Sequence, residues 1–317
     1  MDCPIIWPEK VRLNSKCRIG KTKVETIMEE KKNDLTKILD KIIKISIDDY
    51  YNPYEHFKWP ASLDETKLWM SKELLSIYGT EYYDALNESE LIQLSKWESV
   101  NFYSMNVHGI KELIGEVIQR IHMPGFEEPS RYFHHFIGEE NEHMYFFAQF
   151  CSKYGGKIYQ TKKMKIKTRK ERDIENFIVF CRILLFEEIV DFYNLRMSND
   201  TNLDPIIQEI NKIHHQDESR HISFGRQLVK MLWKDLCCKY NADVIREVQG
   251  YLKQYIISGI NDFYNPAMYR DAKIKNGLKI RNELTTHPAR IKFHKEVTKK
   301  VVNHMLQNGI LMDEVFQ

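Results

Sequence analysis

The chain has 317 residues, 43% hydrophobic and 29% charged, with a formal net charge of +2. That composition fits an ordinary globular protein, and the small net charge excludes a bulk field that would gather nucleic acid or an anionic membrane. No run is apolar for long enough to cross a bilayer, and the opening MDCPIIWPEKVRLNSK lacks the apolar stretch of a secretion signal.

The expected location is therefore the cytoplasm. The six scattered cysteines, without metal-knuckle spacing, read there as reduced thiols, and the adjacent Cys237-Cys238 pair as incidental. Only 13 Gly and 9 Pro punctuate the chain, which favours long helices over many short strands.

Residues 1–20 read as an irregular N-terminal arm of a single domain, 1–317. The spacing of Ile27, Ile38, Leu39, Ile42 and Ile43 predicts a helix from about Thr22 to Ile47. Prolines break YYNPYEHFKWPAS, and a short helix is predicted from Asp64 to Tyr78 with Asp64 as its cap. A long helix follows from Asn87 to Ile121, up to the break HMPGFEEPS. A second runs from Ser130 to Tyr154 and stops at Gly155-Gly156. Residues 162–172 carry seven Lys or Arg, read as a solvated segment, or more sharply as a docking patch for an acidic partner. The third long helix spans Ile174 to Met197. The fourth starts at Pro205 with Asp204 as cap and runs to about Tyr240. Two more are expected at Ala242–Asn261 and Pro288–Leu306.

Two of the long helices carry Glu-x-x-His: Glu140 with His143, and Glu218 with His221. A three-residue step puts both side chains on one helix face, one turn apart, where they can hold the same ion. One such pair is common on charged helices. Two, on alternate helices of a bundle, are far more specific. The intervening helix sets Glu187 and Glu188 amid Ile, Leu, Phe and Val, where a charge is costly unless paired or metal-bound. The pattern is that of an all-α, ferritin-like four-helix bundle with additional flanking helices: one Glu from each of two helices, Glu-x-x-His from the other two.

The first long helix offers Glu98, Glu112 and Glu116. Ten residues separate Glu112 from the break at His122, and eleven separate Pro129 from Glu140, so Glu112 reaches the matching height. Glu98 lies two heptads' ends away on the same face and reads as a supporting residue. His214 precedes Glu218 by four residues and joins the stripe His214, Glu218, His221; His215 points elsewhere and reads as an exposed or structural histidine. Phe133, Phe136, Tyr145, Phe186 and Tyr193 are candidate pocket walls, with core packing the favoured role for most of them. Arg220 is placed to orient Asp191 or another nearby acid.

From Trp59 to Phe224 the chain resembles the di-iron arylamine N-oxygenases of the p-aminobenzoate N-oxygenase type. Their hallmark is an extra His one turn before the second Glu-x-x-His, matched here by His214 with Glu218 and His221. The family's helix-three Glu precedes the second motif's Glu by 31 residues, which matches Glu187. Glu140 and His143 match the first motif, and Glu112 the first-helix carboxylate. The resemblance implies two iron ions, with manganese as the alternative metal, and O2 as co-substrate. It implies oxidation of a small-molecule amine to hydroxylamine, nitroso or nitro in a biosynthetic pathway, with an external electron donor. A homodimer is compatible with it, and neither nucleic acid nor membrane is an expected partner. The same ligands would also serve oxidation at carbon, and less readily a radical-storing reductase subunit or iron storage.

Overall fold

The computed structural model describes residues 21–160 and 171–316. The arm 1–20 and most of the basic run 162–172 lie outside the described residues. Helix α1 (Lys21–Asp48) is followed by the short α2 (Pro53–His56) and α3 (Glu81–Asp84). The long helices α4 (Glu88–Ile118), α5 (Ser130–Phe150), α6 (Arg172–Asn199) and α7 (Pro205–Lys239) come next. The chain ends in α8 (Ala242–Asp262), α9 (Pro266–Asp271), α10 (Gly277–Leu284) and α11 (Pro288–Gln307). No strand occurs among the described residues.

The helix starts follow from local chemistry. Asn87 accepts from the Glu90 backbone while Glu90 accepts from the Asn87 backbone, a reciprocal cap that starts α4. Asp204 accepts from the Ile206 backbone at 3.1 Å, with Pro205 in the first turn of α7. At the end of α5 the chain widens into one π turn, Cys151–Gly155, and Gly156 at φ 64° closes it.

The predicted helix from Asp64 to Tyr78 does not form, apart from a single 3-10 turn at Lys72–Leu74. Its backbone is claimed by α4 instead: Trp69 N donates to Ser95 Oγ at 3.0 Å, the Trp69 carbonyl accepts from Ser99 Oγ at 2.5 Å, and Ser76 N donates to Glu98. Tertiary partners for these groups replace the ladder a helix would supply.

Helices α4 and α5 pair antiparallel, with Ser104 beside Cys151 and His122 beside Ser130. Helices α6 and α7 do the same, with Asn194 beside His214 and Asp173 beside Tyr240. Helix α1 packs on α5 and α7, and α8 and α11 on α6.

The bundle's apolar core comes in two halves. One gathers Tyr103, Phe147, Phe150, Tyr193 and Ile207. The other gathers Val117, Phe133, Phe177, Leu184, Phe224 and Trp233. Between them lies a slab in which three of the four long helices turn polar: Glu140 and His143 on α5, Glu187 on α6, and His214, Glu218 and His221 on α7, none more than 2% exposed. Ionised groups at such depth need compensation.

Candidate metal centre

The two Glu-x-x-His motifs meet face to face. Ligand atoms of Glu140, His143, Glu218 and His221 all lie within 4.8 Å of one another. His221 Nδ1 is 2.8 Å from Glu140 Oε1 and 3.6 Å from Glu218 Oε2. His143 Nδ1 is 3.8 Å from Glu140 and 3.9 Å from Glu218. His214 enters from the next turn of α7, its Nε2 2.7 Å from Glu218 Oε1 and its ring centroid 4.5 Å from that of His143.

Each imidazole is braced on its far side. His143 Nε2 bonds Asp217 Oδ2 at 3.0 Å, and His221 Nε2 bonds Glu139 Oε2 at 2.8 Å. One nitrogen of Arg220 donates to both braces, at 2.6 Å to Asp217 and 2.9 Å to Glu139. The arrangement is reciprocal. The acid just before each motif's Glu reaches across the bundle and holds the histidine of the other motif. With Nε2 protonated toward a carboxylate, Nδ1 keeps its lone pair for the interior. For His214 the brace is the Asn194 amide, 2.6 Å from Nδ1. The atom nearest the ring is the amide nitrogen, Nδ2; turning the amide by 180° would present Oδ1 instead, putting the proton on Nδ1 and leaving the Nε2 lone pair for a metal.

Of the two α6 candidates, Glu187 faces the slab. Glu188 is turned away into a bidentate pair with Arg226, at 2.7 and 2.6 Å. Burial, then the charges of Glu218 and Glu140, push Glu187 well above the usual carboxylate range. Burial would also raise Glu140, yet His143 and His221 hold it below that range. His143 mirrors this: burial works against its charged form, but the hydrogen bond to Asp217 and the adjacent Glu140 lift it to about 10. Without other cations, the cluster charges its own histidines to balance its acids.

The fit to metal ions is tested by which buried atoms form no hydrogen bond of good geometry; His221 Nδ1 and His214 Nε2 have only the close carboxylate contacts given above. Such atoms include Glu140 Oε1, His143 Nδ1, both oxygens of Glu187, His214 Nε2, Glu218 Oε2 and His221 Nδ1. These seven atoms belong to six residues whose outward atoms, wherever they are histidine nitrogens, are all engaged. Buried polar groups are rarely orphaned, and seven on one set of carboxylates and imidazoles form a donor set of the kind divalent iron or manganese takes.

Glu112 is not brought to this set. The pairing of α4 with α5 does give it the expected height, but the inward face of α4 runs through Tyr103, Asn106, Ile110, Leu113 and Val117. Glu112 is one residue, about 100°, off that face. Its Oε1 accepts from Arg182 at 2.6 Å, and it lines a cavity against Tyr255. Glu98 and Glu116 are placed elsewhere too. Glu98 accepts from Ser76 N and Oγ at 2.8 and 2.5 Å, and Glu116 pairs with Arg120. Asn106, fully buried, donates to the Phe102 carbonyl and leaves its Oδ1 without a partner.

Arg220 does orient acids, but they are Glu139 and Asp217; Asp191 is taken by His215, which is structural. Among the five candidate aromatics, Phe136 packs on His221 at 4.6 Å. Phe133 stacks on Phe180 and Tyr193 on Phe102 and Phe263, while Tyr145 packs tilted against Tyr54. Phe186 lines the cavity beside Glu112. Phe146 and Phe147, which the sequence did not single out, cover His143 and His214. The missed braces, Glu139 and Asp217, did leave a signal: both motifs read acid-Glu-x-x-His. Cys237 and Cys238 are exposed and free, and Cys151 and Cys181 buried and free. No helix among the described residues is long and apolar enough to cross a membrane.

Two kinds of likeness bear on this site. The chain is 22% identical over 196 residues to the uncharacterized protein Mb0909 of Mycobacterium bovis and to the uncharacterized protein Rv0885 of Mycobacterium tuberculosis. The match takes in 57% of this chain and 56% of each of theirs, so it spans little more than half the length of these curated relatives. The family model of p-aminobenzoate N-oxygenase AurF matches residues 32–309, which include every helix of the bundle and all six inward-facing residues. The chain therefore belongs to the p-aminobenzoate N-oxygenase AurF family, a family of ferritin-like helical oxygenases.

Proposed function

We propose that the chain is a di-iron oxygenase that uses O2 to oxidise the amine nitrogen of a small molecule. The observation that carries this is the set of seven unpartnered donor atoms in the slab, within a family of N-oxygenases. Glu140, His143, Glu187, His214, Glu218 and His221 would hold two metal ions, since seven donors exceed what one ion commonly takes. When bound, the ions supply the electrons that activate O2.

The rest falls to the chain's own side chains. Asp217 and Glu139 fix the tautomer of His143 and His221, and Arg220 fixes the two acids, so five side chains form one braced unit. Glu187 has no hydrogen bond to break, so its carboxylate would be free to turn toward a metal. Phe136, Phe146 and Phe147 exclude water from the imidazoles. Reducing equivalents come from an external donor.

The test is metal analysis followed by product analysis. Protein grown with both iron and manganese should carry two ions per chain. The reduced iron form, mixed with O2 and a panel of aryl and alkyl amines, should yield hydroxylamine, nitroso or nitro products by mass spectrometry. Oxidation of carbon alone across that panel would overturn the nitrogen assignment.

One observation favours a second reading, radical storage. Tyr132 is fully buried beside the slab, its hydroxyl has no partner, and its ring centroid lies 6.4 Å from that of His221. A tyrosyl signal by electron paramagnetic resonance after O2 exposure, absent in Tyr132→Phe, would establish it.

A further inference from the structure

Outside the slab, α4, α6 and α8 enclose a second chamber of about 130 Å³. Its walls are mostly apolar: Met105, Leu185, Phe186, Ile189 and Ile256. Gly109 makes the floor possible, since a Cβ there would meet Phe186 at 2.5 Å. At Gly259 an added Cβ would meet nothing within 4 Å, so the α8 wall is bare backbone.

The charges around the chamber are unevenly matched. At one end Glu112 and Arg182 neutralise each other at 2.6 Å, and the Arg182 guanidinium lies 4.9 Å from the Tyr255 ring centroid. His108 Nε2 is engaged by the Tyr159 carbonyl at 3.0 Å. At the other end stands Asp262. Among the described residues its carboxylate has no hydrogen bond and no ion pair; Arg281 acts on it only at a distance. Burial pushes its pKa up to about 6, which Arg281 offsets only in part. Asp262 is also the last residue of α8. There its negative charge adds to the negative end of the helix dipole, an arrangement that favours a cation.

We propose that this chamber binds a small apolar amine, a single ring or short branched chain, with its ammonium on Asp262. The size sets the limit: an engineered apolar cavity of about 150 Å³ takes benzene. The sign of the charge sets the head group. A carboxylate ligand would meet Asp262 and the helix end with like charge, and a neutral ligand would leave the acid unpaired.

The proposal does not depend on the metal reading, and its test separates the two. Benzylamine, benzyl alcohol and benzoate are titrated calorimetrically at pH 7.5 into the full chain, both iron-loaded and chelator-treated. Benzylamine should bind at least tenfold more tightly than benzyl alcohol in both forms, and benzoate should not bind. Asp262→Asn should bring benzylamine down to the level of the alcohol, and Gly259→Leu should remove binding of both. Equal affinity for amine and alcohol, or unchanged benzylamine affinity in Asp262→Asn with its circular dichroism intact, would overturn the proposal. Binding that vanishes on chelation would overturn it too, because it would place the amine at the metal centre.

Discussion

Glu98 and Glu187 are both fully buried carboxylates on bundle helices, yet they meet their surroundings in opposite ways. Glu98 sits in a closed polar network. Ser76 donates to both of its oxygens and also bonds Tyr269, while Arg290 donates to Tyr264 and Tyr264 bonds His294 at 2.6 Å. Glu187 has two oxygens and no hydrogen-bond partner at all. The first cluster completes itself from protein alone. The second is complete only when something cationic is added. Burial raises the pKa of both acids, so a perturbed acid does not by itself separate a structural cluster from a functional one. What separates them is whether the inward atoms are already engaged.

Removing a carboxylate shared by both motifs should do the most damage. Glu218→Ala and Glu140→Ala should each abolish turnover, by at least about a hundredfold, and release metal, read by metal analysis beside the rate. Full metal content in either variant would put the ions elsewhere.

Glu98 predicts a different signature, one of pH. Its pKa is raised from 4.5 to about 7 by burial, with the Ser76 hydrogen bonds opposing only in part. A raised acid binds its proton more tightly in the folded state. Its contribution is therefore full below about pH 4.5 and is lost as pH rises through about 7, a fall of about 3 kcal/mol. Glu98→Gln should lack that fall. Urea denaturation of both chelated proteins between pH 4.5 and 7.5 reads the difference, and parallel curves would show that Glu98 is not held as described.

Next come the braces. Asp217→Asn or Glu139→Gln should lower metal affinity about 10- to 100-fold while leaving the donors in place. Smaller still, Glu187→Gln should stabilise the metal-free protein at neutral pH by about 1–2 kcal/mol, because it removes a buried acid that must take up a proton on folding. The same change should weaken the loaded form. A variant less stable than wild type without metal would mean that Glu187 has a protein partner after all.

Much of this centre is legible in the sequence because the helix supplies the ruler. Glu140 with His143, and Glu218 with His221, are fixed by a three-residue step, and His214 by a four-residue step from Glu218. Those spacings hold whatever the tertiary structure. The braces are less visible: Glu139 and Asp217 stand about 100° round the helix from their motif's Glu, a position that reads as solvated until the partner helix is known. Glu187 and Glu188 are equally apolar in context, and only the Arg226 contact from α7 tells them apart. The segment Asp64–Tyr78 has the periodicity of a helix but spends its backbone donors and acceptors on Ser95, Ser99 and Glu98 of α4.

Glu112 gives the smallest expected effect and the sharpest test of how height and rotation combine. Counting residues from the turn places it level with Glu140, and the α4–α5 pairing bears the height out. Rotation is a separate quantity, set by which residues of α4 the core buries, and Ile110 and Leu113 fill that face. Glu112 is left facing Arg182, partly exposed, in an ion pair of the kind that contributes less than about 1 kcal/mol. Glu112→Gln should therefore keep two metal ions, keep turnover within about twofold, and shift the denaturation midpoint only slightly. Loss of one ion in this variant would show instead that α4 turns by about 100° on metal binding, bringing the carboxylate inward and releasing Arg182. Arg182→Met separates the two outcomes. If Glu112 is only the partner of Arg182, this variant too leaves the metal content at two. If the ion pair holds Glu112 away from the metals, freeing the carboxylate should raise metal affinity, a gain that equilibrium dialysis against iron or manganese would detect.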